Sequence, residues 1–149
     1  MSVRLFDVNV LIALLDSAHV HHDVVARWFH SIPAREGWAT APVTENGFIR
    51  VVSHPSYPNM HLTPALASQA LERFRVAFPR SYRFWTDDIT LTDPALFNLK
   101  VLTGSQQTTG AYLAGLAFRN KGRLATLERS IPWQAVRGAQ AGLVERIVV

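Results

Sequence analysis

Apolar positions along this chain switch between two rhythms, and the switches mark its elements. Val3–Phe6 is a short β-prone run, and Val8–Asp16 then places apolar residues on nearly every side, as in a helix buried close to a sheet. From His21 onward, Val24, Val25, Trp28 and Phe29 fall at helical spacing and predict a second, amphipathic helix that ends before Pro33. Gly37–Ala41 (GWATA) reads as a strand, and Pro42 stands where a helix start tolerates proline, leading into Thr44–Val52. After Pro64, the residues Leu66, Ala70, Phe74 and Phe78 step by four along another helix. Tyr82–Trp85 is a third strand, Thr108–Arg119 a further apolar-faced helix, Arg123–Leu127 a fourth strand and Leu143–Val149 a terminal one. The proline-rich stretch Ser53–Pro64 predicts an irregular loop of about a dozen residues.

Strands and helices alternating at this spacing imply right-handed crossovers and a parallel sheet covered on both faces, an α/β fold. At 149 residues the chain is the size of one domain, 1–149, able to bury its own core. It has no cysteine, which excludes disulfides and zinc-thiolate sites and fits a cytoplasmic location. Val10–Leu15, its longest apolar run, falls far short of the ~18 residues a membrane span needs, and Asp7 and Asn9 interrupt any signal-peptide core, so no membrane association is expected.

In an open parallel sheet, ligands bind beyond the carboxyl ends of the strands. Asp7 directly follows the first predicted strand, with Asn9 two residues on; Glu45 lies in the first turns of the helix after the second; Glu128 follows the fourth. Three carboxylates distant in sequence therefore project to one edge. Their mutual repulsion is tolerable when a hard divalent cation, Mg²⁺ or Mn²⁺, shares their oxygens, and the natural chemistry of such a centre is phosphodiester hydrolysis. Each acid also has a structural role open to it. Asp7 stands at the N-cap of the helix beginning at Val8, and Glu45 and Glu128 stand where a helix dipole favours acids.

The net charge of +4 comes almost wholly from arginine, since Lys100 and Lys121 are the only lysines. Arginine makes forked contacts to phosphate and carboxylate, so a basic surface of this kind admits a nucleic-acid backbone or an acidic protein. Among Arg50, Arg73, Arg75, Arg80, Arg83, Arg119, Arg123 and Arg129, the last, beside Glu128, is the first candidate for contact with a phosphate backbone. His19, His21 and His22 have the look of a metal tract, but adjacent helical positions do not face one ion, and structural roles are expected. Trp28, Trp38, Trp85 and Trp133 are expected to pack in the core for the most part, with base stacking as the alternative.

Four segments in order, LFDVNVLIALLD (Leu5–Asp16), ATAPVTENGFIRVV (Ala39–Val52), TTGAYLAGLA (Thr108–Ala117) and GRLATLERSI (Gly122–Ile131), resemble the VapC-type toxins of the PIN-domain family. That resemblance implies a PIN-like three-layer sandwich around a five-stranded parallel sheet and Mg²⁺- or Mn²⁺-dependent endoribonuclease activity. It also implies a homodimer and inhibition by a small VapB-like antitoxin. Asp7, Glu45 and Glu128 match the first, second and fourth family acids, and Asn9 and Thr126 match supporting polar residues. The third acid is absent, because Gly110 occupies its place in Thr109–Gly110–Ala111–Tyr112. Thr109, Asp88 or Asp93 are candidates to fill the gap, although a hydroxyl is a poorer ligand for Mg²⁺ than a carboxylate. Gly110 keeps a second reading open, that of a catalytically inactive antitoxin-binding protein.

Overall fold

Strand β1 (Arg4–Phe6) lies at the centre of a five-stranded, wholly parallel sheet in a computed structural model that describes residues 2–79 and 81–149. Strands β2 (Trp38–Thr40) and β4 (Arg123–Thr126) flank it, with β3 (Tyr82–Phe84) and β5 (Val144–Arg146) at the edges, giving the order β3-β2-β1-β4-β5. The helices are α1 (Val8–Leu15), α2 (His22–Ser31), α3 (Pro42–Val52), α4 (Pro64–Ala77) and α5 (Thr108–Arg119). Each was expected from the apolar rhythm within a few residues. No described helix is long and apolar enough to cross a membrane.

Alternation along each strand sends successive side chains to opposite faces and so builds two cores. Phe6, Trp38 and Ala125 point to a cluster with residues of α1, α2, α3 and α4, whereas Leu5, Ala39 and Leu124 point to a second cluster beneath α5. The result is three layers, as an α/β architecture with both sheet faces covered requires. In α4 the buried positions are Ala67 and Leu71, and Leu66 is exposed. The step of four from Leu66 is thus one residue out of phase over the first half of the helix, where Ala67 and Leu71 share the buried face, while Phe74 and Phe78 do pack against the core. Trp38 stacks on Phe6, with ring centroids 5.2 Å apart, as a core aromatic.

Residues 85–107 carry no strand and only short 3-10 turns at Leu99–Val101 and Ser105–Gln107. This segment is anchored by buried Phe97, whose ring lies against α5 where Gly115 leaves room for it; a Cβ there would stand 2.2 Å from the ring. Arg4, nearly buried under the sheet, pairs with Glu145 at 2.7 Å and Glu36 at 2.8 Å, and Trp28 donates its indole N–H to Glu145. A residue that reads as surface charge therefore ties β1 to β5.

The Ser53–Pro64 loop folds back on the end of α1. Tyr57 and Asn59 donate to one carboxylate oxygen of the buried Asp16 at 2.5 and 2.8 Å, and the N–H of Ala18 donates to the other. Burial alone would push the Asp16 carboxyl up, but these hydrogen bonds and nearby His19 outweigh it and hold it below its ordinary value of 3.8. A lowered acid stabilises the fold fully above its ordinary value, and that contribution drains away as pH falls through the lowered one. Asp16→Asn is therefore expected to cost about 1.5–3 kcal/mol at neutral pH. In urea unfolding, its deficit should shrink in acid; a deficit that is the same at pH 7 and in strong acid would refute the charge-based account.

Candidate active site at the carboxyl edge of the sheet

The strand order reverses direction between β1 and β4, and the crevice outside the carboxyl ends of these two strands is where an open α/β sheet receives its ligand. Asp7 and Glu128 flank this crevice, one residue beyond β1 and two beyond β4. Asp7 is buried and works for the fold as well as for the site. Its Oδ1 caps α1 by accepting from the N–H of Val8 at 2.7 Å, and its Oδ2 accepts from the Thr126 hydroxyl at 2.8 Å. The N-cap role and the edge position are thus both realised in one side chain.

Thr126 is the hub of this corner. Its single proton goes to Asp7, while its oxygen accepts from the Glu128 N–H at 3.1 Å and from Asn9 Nδ2 at 3.4 Å. Asn9 Oδ1 in turn accepts from the N–H of Leu127 at 3.2 Å. Both supporting residues lock the chain between β4 and Glu128 against the start of α1. The Thr126 hydroxyl has no second proton to offer, so a donor role toward water is closed to it while it holds Asp7.

Burial pushes the Asp7 carboxyl up, only partly opposed by its two hydrogen bonds, and Glu128 is pushed up by its own burial and by the charge of Asp7. Neither acid forms an ion pair among the described residues. The two therefore make a hard-oxygen pair that no salt bridge among the described residues compensates, and that donor set suits Mg²⁺ or Mn²⁺.

Glu45, on α3, is placed differently. Its Oε2 accepts from the Thr40 hydroxyl at 2.6 Å and from Arg75 at 3.1 Å. Because Thr40 has spent its proton on Glu45, Tyr82, whose hydroxyl oxygen is 2.6 Å from that of Thr40, donates to it in turn. Arg75 reaches over from α4 and sits 6.0 Å from the centre of the Tyr82 ring. Glu45 thus has its charge already answered, and among the described residues no three His, Cys, Asp or Glu side chains stand together as a metal seat.

Gly110 sits in the first turn of α5. Nothing in the backbone demands glycine there. Gly37 contrasts with it, having a φ of +77° and a position where any Cβ would lie 2.2 Å from the Ser81 carbonyl oxygen. A Cβ at 110 would meet the Ile131 Cδ1 at 3.1 Å and Pro132 Cδ at 3.5 Å, so a side chain would set out toward the loop that carries Glu128. Thr109 instead lines a separate recess with Tyr112, Val43 and Asp87. Of the acids proposed as substitutes, Asp93 caps its own turn through the N–H of Ala95, and Asp88 is exposed. Asp87, which the sequence did not single out, accepts from the Tyr112 hydroxyl at 2.8 Å and the Val43 N–H at 2.9 Å, tying α5 to the start of α3.

Arg75 was likewise visible only as one arginine among many. Arg129 lies exposed beside Glu128 in a groove of about 580 Å³, and Arg80 falls outside the described residues. The histidines serve structure: His19 accepts from the His21 N–H, and His22 Nδ1 lies 2.7 Å from the Ala13 carbonyl oxygen.

A parallel five-stranded sheet in this order, with helices on both faces and acids at the switch point, is a PIN-like α/β fold. No protein-family model matches the chain. Its sequence is 38% identical over 136 residues to ribonuclease VapC44 of Mycobacterium tuberculosis, covering 91% of this chain and 92% of that protein. It is 37% identical over 141 residues to ribonuclease VapC39 of the same organism, covering 95% and 96%, and 36% identical over 129 residues to ribonuclease VapC38, covering 87% of each. The chain belongs to the VapC family of PIN-domain proteins.

Proposed function

We propose that this chain is a metal-dependent endoribonuclease toxin of a VapBC-type module, hydrolysing RNA phosphodiester bonds with an activity limited by Gly110. The observation that carries the reading is the pair Asp7 and Glu128, two carboxylates pushed toward protonation at the switch point, neither of them in an ion pair among the described residues. Similarity to three proteins named ribonucleases supports RNA as the substrate. The same reading includes a VapB-like antitoxin as partner, a homodimer and a cytoplasmic site of action.

In this reading Asp7 and Glu128 would hold Mg²⁺ or Mn²⁺, and Glu45, which does not stand with them in this structure, would have to move to join them. The chemistry supplied by the bound ion is polarisation of phosphoryl oxygens and generation of hydroxide from water near neutral pH. The chain's own residues prepare the place. Thr126 and Asn9 fix Asp7 and the path to Glu128, so that these carboxylates lose little freedom on engaging a ligand. Thr40 and Arg75 fix Glu45 through Oε2 and leave Oε1 as the oxygen available to the site. Arg129, which lines the same groove as Glu128, would hold the RNA backbone there.

Gly110 and the engagement of Glu45 by Arg75 also favour a second reading, in which the chain binds antitoxin without cutting RNA. Incubation of mixed RNA with the chain in Mg²⁺, Mn²⁺ or excess chelator separates the two. Metal-dependent cleavage that disappears with chelator and with Asp7→Asn is expected. Absence of cleavage by both this chain and Gly110→Asp, with antitoxin binding intact, would establish the second reading instead.

A further inference from the structure

Glu128 opens onto a groove of about 580 Å³ whose walls come from the loop after β4 and from β5. Sheet register puts Arg146 there. It pairs with Thr126 across β4 and β5, and alternation turns both toward the α5 face of the sheet. Arg129 enters the same groove from the loop. Among the described residues neither arginine forms an ion pair, and Glu128 is the only acid in the lining. The lining also includes Trp133, in a 3-10 turn (Trp133–Ala135), half-buried and packed in part against the core beneath α5, together with Gln107 and Gln134. The Trp28 and Trp38 indole N–H groups have partners inside the protein, but those of Trp85 and Trp133 make no hydrogen bond to any described residue.

Two guanidinium groups without ion pairs in a groove that is also lined by a half-buried indole offer an unpaired base a stacking partner with phosphates on either side of it. We propose that this groove is a single-stranded RNA subsite, in which one nucleotide flanking the scissile phosphate stacks on Trp133 while Arg129 and Arg146 hold its backbone. The inference rests on the ribonuclease reading and adds to it two binding residues, Trp133 and Arg146. A duplex keeps its bases stacked on one another and presents only phosphates to such a groove, so Trp133 distinguishes the two forms.

The test uses the whole chain in excess chelator, so that binding is read without cleavage, with a short unstructured RNA and a blunt RNA duplex as probes. Trp133→Ala is expected to weaken single-strand binding about tenfold and to leave duplex binding nearly unchanged, with Trp133→Phe restoring most of the loss. Arg129→Ala and Arg146→Ala should each reduce the slope of log affinity against log salt by about 0.7. Arg146 is exposed, so its substitution keeps the test alive if Trp133→Ala does not fold. If this chain binds and cleaves RNA while Trp133→Ala and Arg146→Ala bind it unchanged, the subsite is overturned and the ribonuclease reading survives. If neither this chain nor Gly110→Asp binds or cuts RNA, the ribonuclease reading falls and takes the subsite with it. Loss of antitoxin binding in these variants with RNA binding intact would make the groove a protein-docking site and overturn the proposal.

Discussion

Gly110→Asp is expected to raise Mn²⁺ affinity by at least about tenfold and to raise metal-dependent RNA cleavage with it. The position can take the side chain. Its backbone is helical, and the only close contact a Cβ would make, at 3.1 Å, is with the terminal methyl of Ile131, which can swing aside. An acid in the first turn also meets the positive end of the α5 dipole, a gain of about 0.3–1 kcal/mol, and removes a glycine from a helix. Set against this is repulsion from Asp7 and Glu128, which already resist ionising. Without metal, the variant should therefore gain little or no thermal stability. With Mn²⁺ at about a hundred times its Kd, binding adds about 2.7 kcal/mol, and the melting temperature should rise well above that of the unsubstituted chain under the same conditions. Equal Mn²⁺-induced shifts and equal cleavage by the two chains would show that position 110 contributes no ligand.

Asp7→Asn, made in the Gly110→Asp background, is expected to reduce cleavage to the level seen in excess chelator while leaving the fold at least as stable at neutral pH. The amide oxygen can still cap the N–H of Val8. What changes is the cost of a buried charge. Burial raises the Asp7 carboxyl, so the stability linked to it is present below the ordinary carboxyl range and is lost as pH rises through the raised value. The aspartate thus burdens the fold at pH 7 and the asparagine does not. In acid the sign reverses, because the variant loses part of the Thr126 hydrogen bond, worth about 1 kcal/mol, and gains nothing in exchange. Urea unfolding across pH should show the two curves crossing, and Mn²⁺ should no longer protect the variant. A variant that is less stable at every pH would show that Asp7 is held for structure alone.

Much of the architecture was legible in the sequence because it is encoded at short range. Val24, Val25, Trp28 and Phe29 declare a helical face by spacing alone, and Pro42 and Pro64 mark the first residues of α3 and α4. Leu66 was misplaced because a helix of mostly small and polar residues has no dominant apolar stripe, so only its neighbours decide which side is buried. Residues 85–107 showed no rhythm because they are held by single anchors, Phe97 against Gly115 and Asp87 against Tyr112, and an anchor has no period.

The candidate site divides along the same line. Asp7, Asn9, Thr126 and Glu128 could be placed from sequence, since each sits within a few residues of a strand end and strand ends in a parallel sheet share one edge. Arg75 on Glu45, Asp87 on Tyr112, and Arg146 beside Thr126 could not, because each contact joins elements far apart in the chain and depends on register and side-chain direction. The sequence by itself determined the elements, the α/β class, the acids at the strand ends and the glycine at position 110. Tertiary structure alone decided which of those acids keeps an uncompensated charge. Whether a carboxylate is free or answered is a matter of a few ångströms between groups that only the folded chain brings together.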